Sequence, residues 1–321
     1  MRYKFQNQRE NRMINTVTLN PAMDEILYIE SFQENCMNRI QKKEKCLGGK
    51  GTHLAYNFSL LGVPNRTFGV SFGSCGQEVI DVLKESGSDT HYLWYETPET
   101  RTNYLVVDKD RNCTFLGGKG EVLTQEITGK LLALMESQMQ KGDTLIIAGD
   151  ASNVEDKDVQ KKLLEIAKKM DLKLYLDSSG AFMKEGLKYH PQLIKPNLEE
   201  LSELVGRELK NADDVVGALD EIPDIPVVMV SMGGDGWVFR YEGKIYRGYG
   251  LKVQVGNTAG CGDALLTGLI YGLECNPMPV MDMLAYATAL SATCAASNKT
   301  VGFDIEKAKE WMKDVKIEVI R

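Results

Sequence analysis

The chain has little of what would tie it to an oxidising compartment, a structural metal, a membrane or nucleic acid. Its seven cysteines are odd in number, dispersed and without a Cys-x-x-Cys pair, so they are expected as reduced thiols rather than a disulfide framework. Only three histidines occur, scattered, which argues against a zinc site. The longest small-apolar stretch, residues 283–296, contains Thr and Ser and is too short to span a bilayer. Residues 1–12 are polar and lack the apolar segment of a secretory signal; they are expected to be a disordered extension before a fold that begins near Met13. A cytoplasmic protein with no membrane partner is the corresponding expectation. Positive charge is outnumbered, with 38 Lys and Arg against 45 Asp and Glu. A formal net charge of −7 argues against nucleic acid as the main partner, because a phosphate backbone calls for a basic face. No Gly-x-Gly-x-x-Gly opens the first strand–helix unit, which counts against a nicotinamide-dependent oxidoreductase.

What is present is a chain of 321 residues, 43% hydrophobic and 26% charged, long enough to bury a large α/β core. Its most informative stretch is residues 257–268, Asn-Thr-Ala-Gly-Cys-Gly-Asp-Ala-Leu-Leu-Thr-Gly. Residues 251–255 before it alternate as a strand does, and residues 264–273 after it have the apolar density of a buried helix. The first amides of a helix lack internal partners and carry the positive end of its dipole. A turn containing Gly260, Cys261 and Gly262 at that point suits an anion or a developing oxyanion, and Asp263 within it suits a base for a substrate hydroxyl. The alternative is that Asp263 only caps the helix.

Residues 14–19 read as a strand ending in the turn that carries Asp24. Residues 25–32 and 38–46 alternate like paired strands with basic polar faces, a small sheet apart from the core. Gly48, Gly49, Lys50 and Gly51 then open a helix over 52–61, with glycine amides and a lysine suited to a phosphate; the lysine's spacing rules out a P-loop. Residues 97–115 read as a hairpin, and the second Leu-Gly-Gly-Lys-Gly at 116–120 as a loop, since no apolar helix follows it. Beyond residue 124 strands alternate with helices, which argues for a mostly parallel sheet covered on both faces, with ligands at the carboxyl ends of its strands. Three further signals fall at strand ends. Asn197 and Glu200, one helical turn apart, suit a metal or, equally, a capping pair. Ser231 to Gly236 form a loop able to approach phosphates or to turn a hairpin, and the small-residue helix 285–297 allows close packing beside a flat ligand or an ordinary helix.

In order along the chain, Thr18-Leu19-Asn20-Pro21-Ala22-Met23-Asp24, Gly48-Gly49-Lys50-Gly51, Thr100-Arg101-Thr102-Asn103, Lys195-Pro196-Asn197 with Glu200, Ser231-Met232-Gly233 with Gly236, and Gly260-Cys261-Gly262-Asp263 resemble the PfkB, or ribokinase-like, sugar kinases. The opening string and the lysine within the glycine cluster look most like the branch of 1-phosphofructokinases and tagatose-6-phosphate kinases. The resemblance covers the chain from Met13 onward. It implies a three-layer α/β sandwich with a mostly parallel central sheet and a β-sheet lid built from about 25–46 and 101–115, commonly a dimer surface. It also implies an ATP- and Mg²⁺-dependent kinase acting on a ketohexose phosphate, most directly fructose 1-phosphate. In that reading Asp263 is the base and the amides of Gly260, Cys261 and Gly262 the anion hole. Asp24 holds sugar hydroxyls, and Lys50, Arg39 and Arg101 clamp the substrate phosphate beside Gly48, Gly49 and His53. Asn197 and Glu200 organise Mg²⁺, Lys195, Ser231, Gly233 and Gly236 meet the nucleotide phosphates, and Asn298 lies near adenine.

Three departures from the family pattern stand out. His53 replaces an Asn that follows the glycine cluster, Asp150 enters a loop that is usually Gly-Ser-Leu-Pro, and Cys261 replaces an Ala. They point to an active kinase with an altered sugar preference, with a catalytically weak sugar-phosphate sensor as the alternative on the same fold.

Overall fold

A computed structural model describes residues 12–149, 151–222 and 225–321. Apart from Arg12, the expected N-terminal extension lies outside the described residues, as does Asp150. In chain order the elements are β1 (Ile14–Thr18), β2 (Ala22–Ile29), β3 (Ile40–Gly48), α1 (Lys50–Leu60), β4 (Asn65–Phe72), α2 (Gly73–Ser86), β5 (Asp89–Tyr95), β6 (Arg101–Val107) and β7 (Cys113–Leu116). They continue with α3 (Gln125–Gln138), β8 (Thr144–Ala148), α4 (Val159–Lys169), β9 (Lys173–Asp177), α5 (Gly180–Leu187), β10 (Leu193–Ile194), α6 (Leu198–Val205), α7 (Ala212–Ala218) and β11 (Val227–Ser231). The last are β12 (Trp237–Tyr241), β13 (Lys244–Gly248), α8 (Cys261–Ile270), α9 (Val280–Ala296), α10 (Ile305–Trp311) and β14 (Ile317–Val319).

Ten strands form the large sheet in the order β14-β13-β12-β11-β10-β9-β8-β1-β4-β5, parallel from β11 to β5 and antiparallel beyond β11. Strand side chains alternate between two cores. Leu145 and Ile147 of β8, Leu174 and Leu176 of β9, and Val228 and Val230 of β11 face one core with helices α3 to α7. Ile146, Tyr175 and Met229 face the other, with Leu54 and Phe58 of α1, Leu266 and Leu269 of α8, and Leu284 of α9. Both faces of each strand are therefore buried, which is why these strands read as short continuous apolar runs rather than half-polar ones.

The second sheet, β3-β2-β6-β7, is the small sheet expected apart from the core. Its strands are shifted from the sequence reading: β2 begins three residues earlier than 25, and β3 runs from Ile40 to Gly48, straight into α1. One face rests on Val79 and Leu83 of α2 through Met23, Ile26, Leu47 and Leu105. Two expectations need correction. Residues 251–255 form no strand; Leu251 packs against Tyr286, Leu290 and Ala308, so the alternation reflects a segment lying along a helical surface. Helix α2 starts at Gly73 rather than near Gln77, because its two glycines sit inside the first turn.

Candidate active site

A cleft of about 480 Å³ opens at the carboxyl ends of the parallel strands, beneath the small sheet. Each strand delivers its last residue or the ones just after it into the cleft: β1 Asn20, β8 Gly149, β9 Asp177, β10 Lys195 and Asn197, β11 Ser231. Two helices start there. Helix α1 has Gly49 as its N-cap at φ 100°, and α8 has Gly260 as its N-cap at φ 77°. A side chain on Gly260 would stand 1.9 Å from the Thr300 carbonyl oxygen, so both the dihedral and the space require glycine. Neither N-cap glycine offers a side chain to cap its helix, so both helices start at the cleft with first-turn amides that lack that partner.

Asp263 lies in the first turn of α8, buried, and lines the cleft. Its Oδ2 is 2.7 Å from His53 Nδ1, and His53 Nε2 is 2.9 Å from the Leu47 carbonyl oxygen. Burial of the ring pushes its pKa down, but the hydrogen bond and charge of Asp263, aided by Asp24 and the Leu47 carbonyl, outweigh burial and leave it raised. Asp24 sits across the cleft with Oδ1 accepting from Asn103 Nδ2 at 2.8 Å. Gly48 backs it so closely that a Cβ would fall 2.1 Å from that oxygen.

The cations gather around a residue that the sequence reading missed. Asp177, fully buried at the end of β9, takes Lys50 Nζ at 3.1 Å on Oδ1 and Lys195 Nζ at 3.2 Å on Oδ2. Burial raises its carboxyl, yet the two ammonium charges prevail and hold it below the usual carboxylate value. Lys50 is held in its charged form correspondingly: burial alone would lower it, but Asp177, Asp263 and Glu200 raise it further. The missed signal was an isolated acid at a strand's carboxyl end, followed by Ser178, Ser179 and Gly180, where such folds place ligand contacts.

Of the expected residues, Asp24, Gly49, Lys50, His53, Arg101, Lys195, Asn197, Glu200, Ser231, Gly260, Gly262 and Asp263 all line the one cleft. Arg101 donates to the carbonyls of Asn20 and Gly118, joining two loops at the mouth. Asn197 and Glu200 form a reciprocal capping box on α6, so that alternative is realised while both still border the cleft. Six residues stand outside the wall. Gly48 acts behind Asp24, and Cys261 turns its thiol toward the Asn257 carbonyl while its amide stays in the helix start. Gly233 and Gly236 shape the turn after β11, and a side chain at Gly236 would strike the Gly248 carbonyl oxygen at 2.2 Å. Asn298 accepts from Arg111 of the β6–β7 turn at 3.1 Å, and Arg39 is exposed beside the end of β3 remote from the cleft. The repeated glycine cluster is a loop, as expected; Gly118 and Gly120 let it lie against the Thr102 carbonyl and the Asn20 side chain.

The family model for pfkB family carbohydrate kinases matches residues 17–307. The chain belongs to the pfkB family of carbohydrate kinases. This kinase is 26% identical over 307 residues to a 1-phosphofructokinase of Bacillus subtilis (strain 168), covering 95% of this chain and 99% of the relative. It is 25% identical over 319 residues to a tagatose-6-phosphate kinase of Staphylococcus epidermidis, with 95% and 99% covered. The fold matches that of phosphofructokinase-2 from Escherichia coli in complex with substrates and products, with a TM-score of 0.86 at 22% identity over 94% of this chain and 99% of the other. The kinase is thus a phosphotransferase with an alcohol group as acceptor, and the family's phosphoryl donor is ATP. No helix among the described residues is long and apolar enough to cross a membrane.

Proposed function

We propose that the kinase transfers the γ-phosphoryl group of ATP to a hydroxyl of a ketohexose phosphate, fructose 1-phosphate giving fructose 1,6-bisphosphate. The observation that carries this reading is the buried carboxylate of Asp263 inside a glycine turn whose amides face the same cleft as Lys50 and Arg101. In this mechanism Oδ1 of Asp263 takes the proton of the acceptor hydroxyl, since Oδ2 is engaged by His53. The amides of Gly260, Cys261 and Gly262 hold the charge that develops on the transferring group. Asp24, fixed by Asn103, orients sugar hydroxyls, and Lys50 with Arg101 receives the phosphate the sugar already carries. The Bacillus and Borreliella relatives named 1-phosphofructokinase support fructose 1-phosphate as the acceptor, and the Staphylococcus relatives named tagatose-6-phosphate kinase support tagatose 6-phosphate as the second.

Asn197 and Glu200 would hold Mg²⁺. One amide oxygen and one carboxylate already aligned by the capping box fit an ion that keeps several waters and takes phosphate oxygens rather than one caged by protein. Held there, the ion would supply positive charge against the phosphates of the donor. Lys195, 6% exposed and beside Gly262, and Ser231 are positioned for the donor's phosphates. The lid carries exposed Ile40, Tyr104, Phe115 and Leu116, which supports a homodimer formed through it.

The test is ADP formation with Mg²⁺ across fructose 1-phosphate, fructose 6-phosphate, tagatose 6-phosphate and unphosphorylated sugars, with Asp263→Asn as control. Turnover confined to one phosphosugar and lost in the control is expected. Turnover only with unphosphorylated sugars would overturn the proposed acceptor class.

A further inference from the structure

His53 has an acceptor on each side. Asp263 Oδ2 lies 2.7 Å from Nδ1 and the Leu47 carbonyl oxygen 2.9 Å from Nε2, with the ring buried. A neutral ring has one N–H, so it satisfies one of these neighbours and leaves its other nitrogen facing a second oxygen; a ring protonated at both nitrogens satisfies both. The charge of the cleft points the same way. Among the described lining residues, Asp24, Asp177, Glu200 and Asp263 face Lys50, Arg101 and Lys195, and a protonated His53 brings the two signs level.

We propose that His53 is a positioning residue that acts as an imidazolium, holding Asp263 by Oδ2 with Oδ1 toward the acceptor hydroxyl and cancelling its charge so that an anionic phosphosugar can bind beside it. An asparagine at this position can make the hydrogen bond but supplies no charge. The role rests on Asp263 being the base. The other groups near the pair are Asp24 on β2, Lys50 at the start of α1, and the buried thiols Cys46 on β3 and Cys294 on α9. Both thiols are pushed up, Cys46 chiefly by burial and Cys294 by Cys261 and then burial, and so stay neutral. Lys50 stays charged. Because the ring's pKa is raised, its positive charge persists to higher pH than that of a free imidazole and is lost as pH rises through the raised value.

Two measurements decide it. With only three histidines, ¹⁵N-histidine labelling yields three rings, and His91→Gln and His190→Gln assign the third to His53 without altering the pair. Two protonated ring nitrogens on His53 at pH 7.5 are expected, and a neutral ring there overturns the proposal. In steady-state assays the KM for the phosphosugar should rise with pH in the wild type, by roughly five- to thirtyfold for one lost charge in the cleft, while kcat changes little. In His53→Asn and His53→Gln, each checked for a native melting curve, that KM should already be high at neutral pH and flat as pH rises. An alkaline rise in KM that persists in a folded variant overturns the proposal. Turnover surviving in Asp263→Asn would instead remove Asp263 as the base and leave the ring's protonation readout intact, so the two readings fail separately.

Discussion

Lys50 reaches Asp177 across 127 residues of sequence, Nζ to Oδ1 at 3.1 Å, at the floor of the cleft. The same carboxylate holds Lys195, so one buried acid offsets the repulsion between two cations that line the cleft. Asp177→Asn should lower unfolding free energy by about 3 kcal/mol, because it leaves a buried lysine without its partner. Since the folded pKa of Asp177 is depressed, the wild-type contribution is present above the ordinary aspartate value of 3.8 and is lost as pH falls below it. Urea titrations at pH 7 and pH 3.5 check both statements: the difference between wild type and variant should shrink at the lower pH.

Asp263→Asn should cut kcat by about 10²- to 10⁴-fold, the usual range for a positioned general base. Binding of the phosphosugar, measured by calorimetry without ATP, should survive. A variant with near-normal kcat would assign the proton to another group.

Gly260→Ala forces a side chain onto φ 77° and against the Thr300 carbonyl. A strained backbone of this type costs about 1–3 kcal/mol, and the collision adds to it. A lowered melting temperature together with a loss of turnover larger than the stability change is expected, because the α8 amides would be re-aimed.

Arg111→Ala removes the hydrogen bond between exposed Arg111 of the lid turn and half-buried Asn298. Stability should change by less than about 1 kcal/mol, the scale of a solvent-facing hydrogen bond. ATP hydrolysis without sugar should rise relative to transfer, since the lid would exclude water less completely. Comparing ADP release with phosphosugar consumption reads this directly.

Ile40→Lys, at a position 55% exposed on the lid, should yield monomers in sedimentation if copies pair through that sheet. Unchanged mass would remove the lid as the contact.

The parallel core was legible because its strands are short apolar runs, and the glycine turns mark both helix starts that face the cleft. The Asn197–Glu200 spacing was legible as well, with the capping box and a place on the cleft both realised. Relations between distant residues were not. His53 meets Asp263 over 210 residues, and nothing in its helical surroundings distinguishes it from an ordinary buried histidine. Asp177 gains its meaning only from two lysines on other elements. Arg39 was placed by analogy of sequence order, whereas strand register carries it to the far end of the lid within one chain. The alternation of 251–255 came from packing on α9 and α10, which period alone does not separate from a strand.

The lid also has a consequence for the order of assembly. Its central pairing, β2 alongside β6, joins stretches separated by β3, α1, β4, α2 and β5 and brings Asp24 to Asn103 across 79 residues. Closing so long a loop costs more entropy than pairing sequence neighbours, and docking β1, β4 and β5 side by side shortens the span left to close. Asp24 is therefore expected to be set in place after the core, and hydrogen exchange during refolding should protect the central strands before β2 and β6.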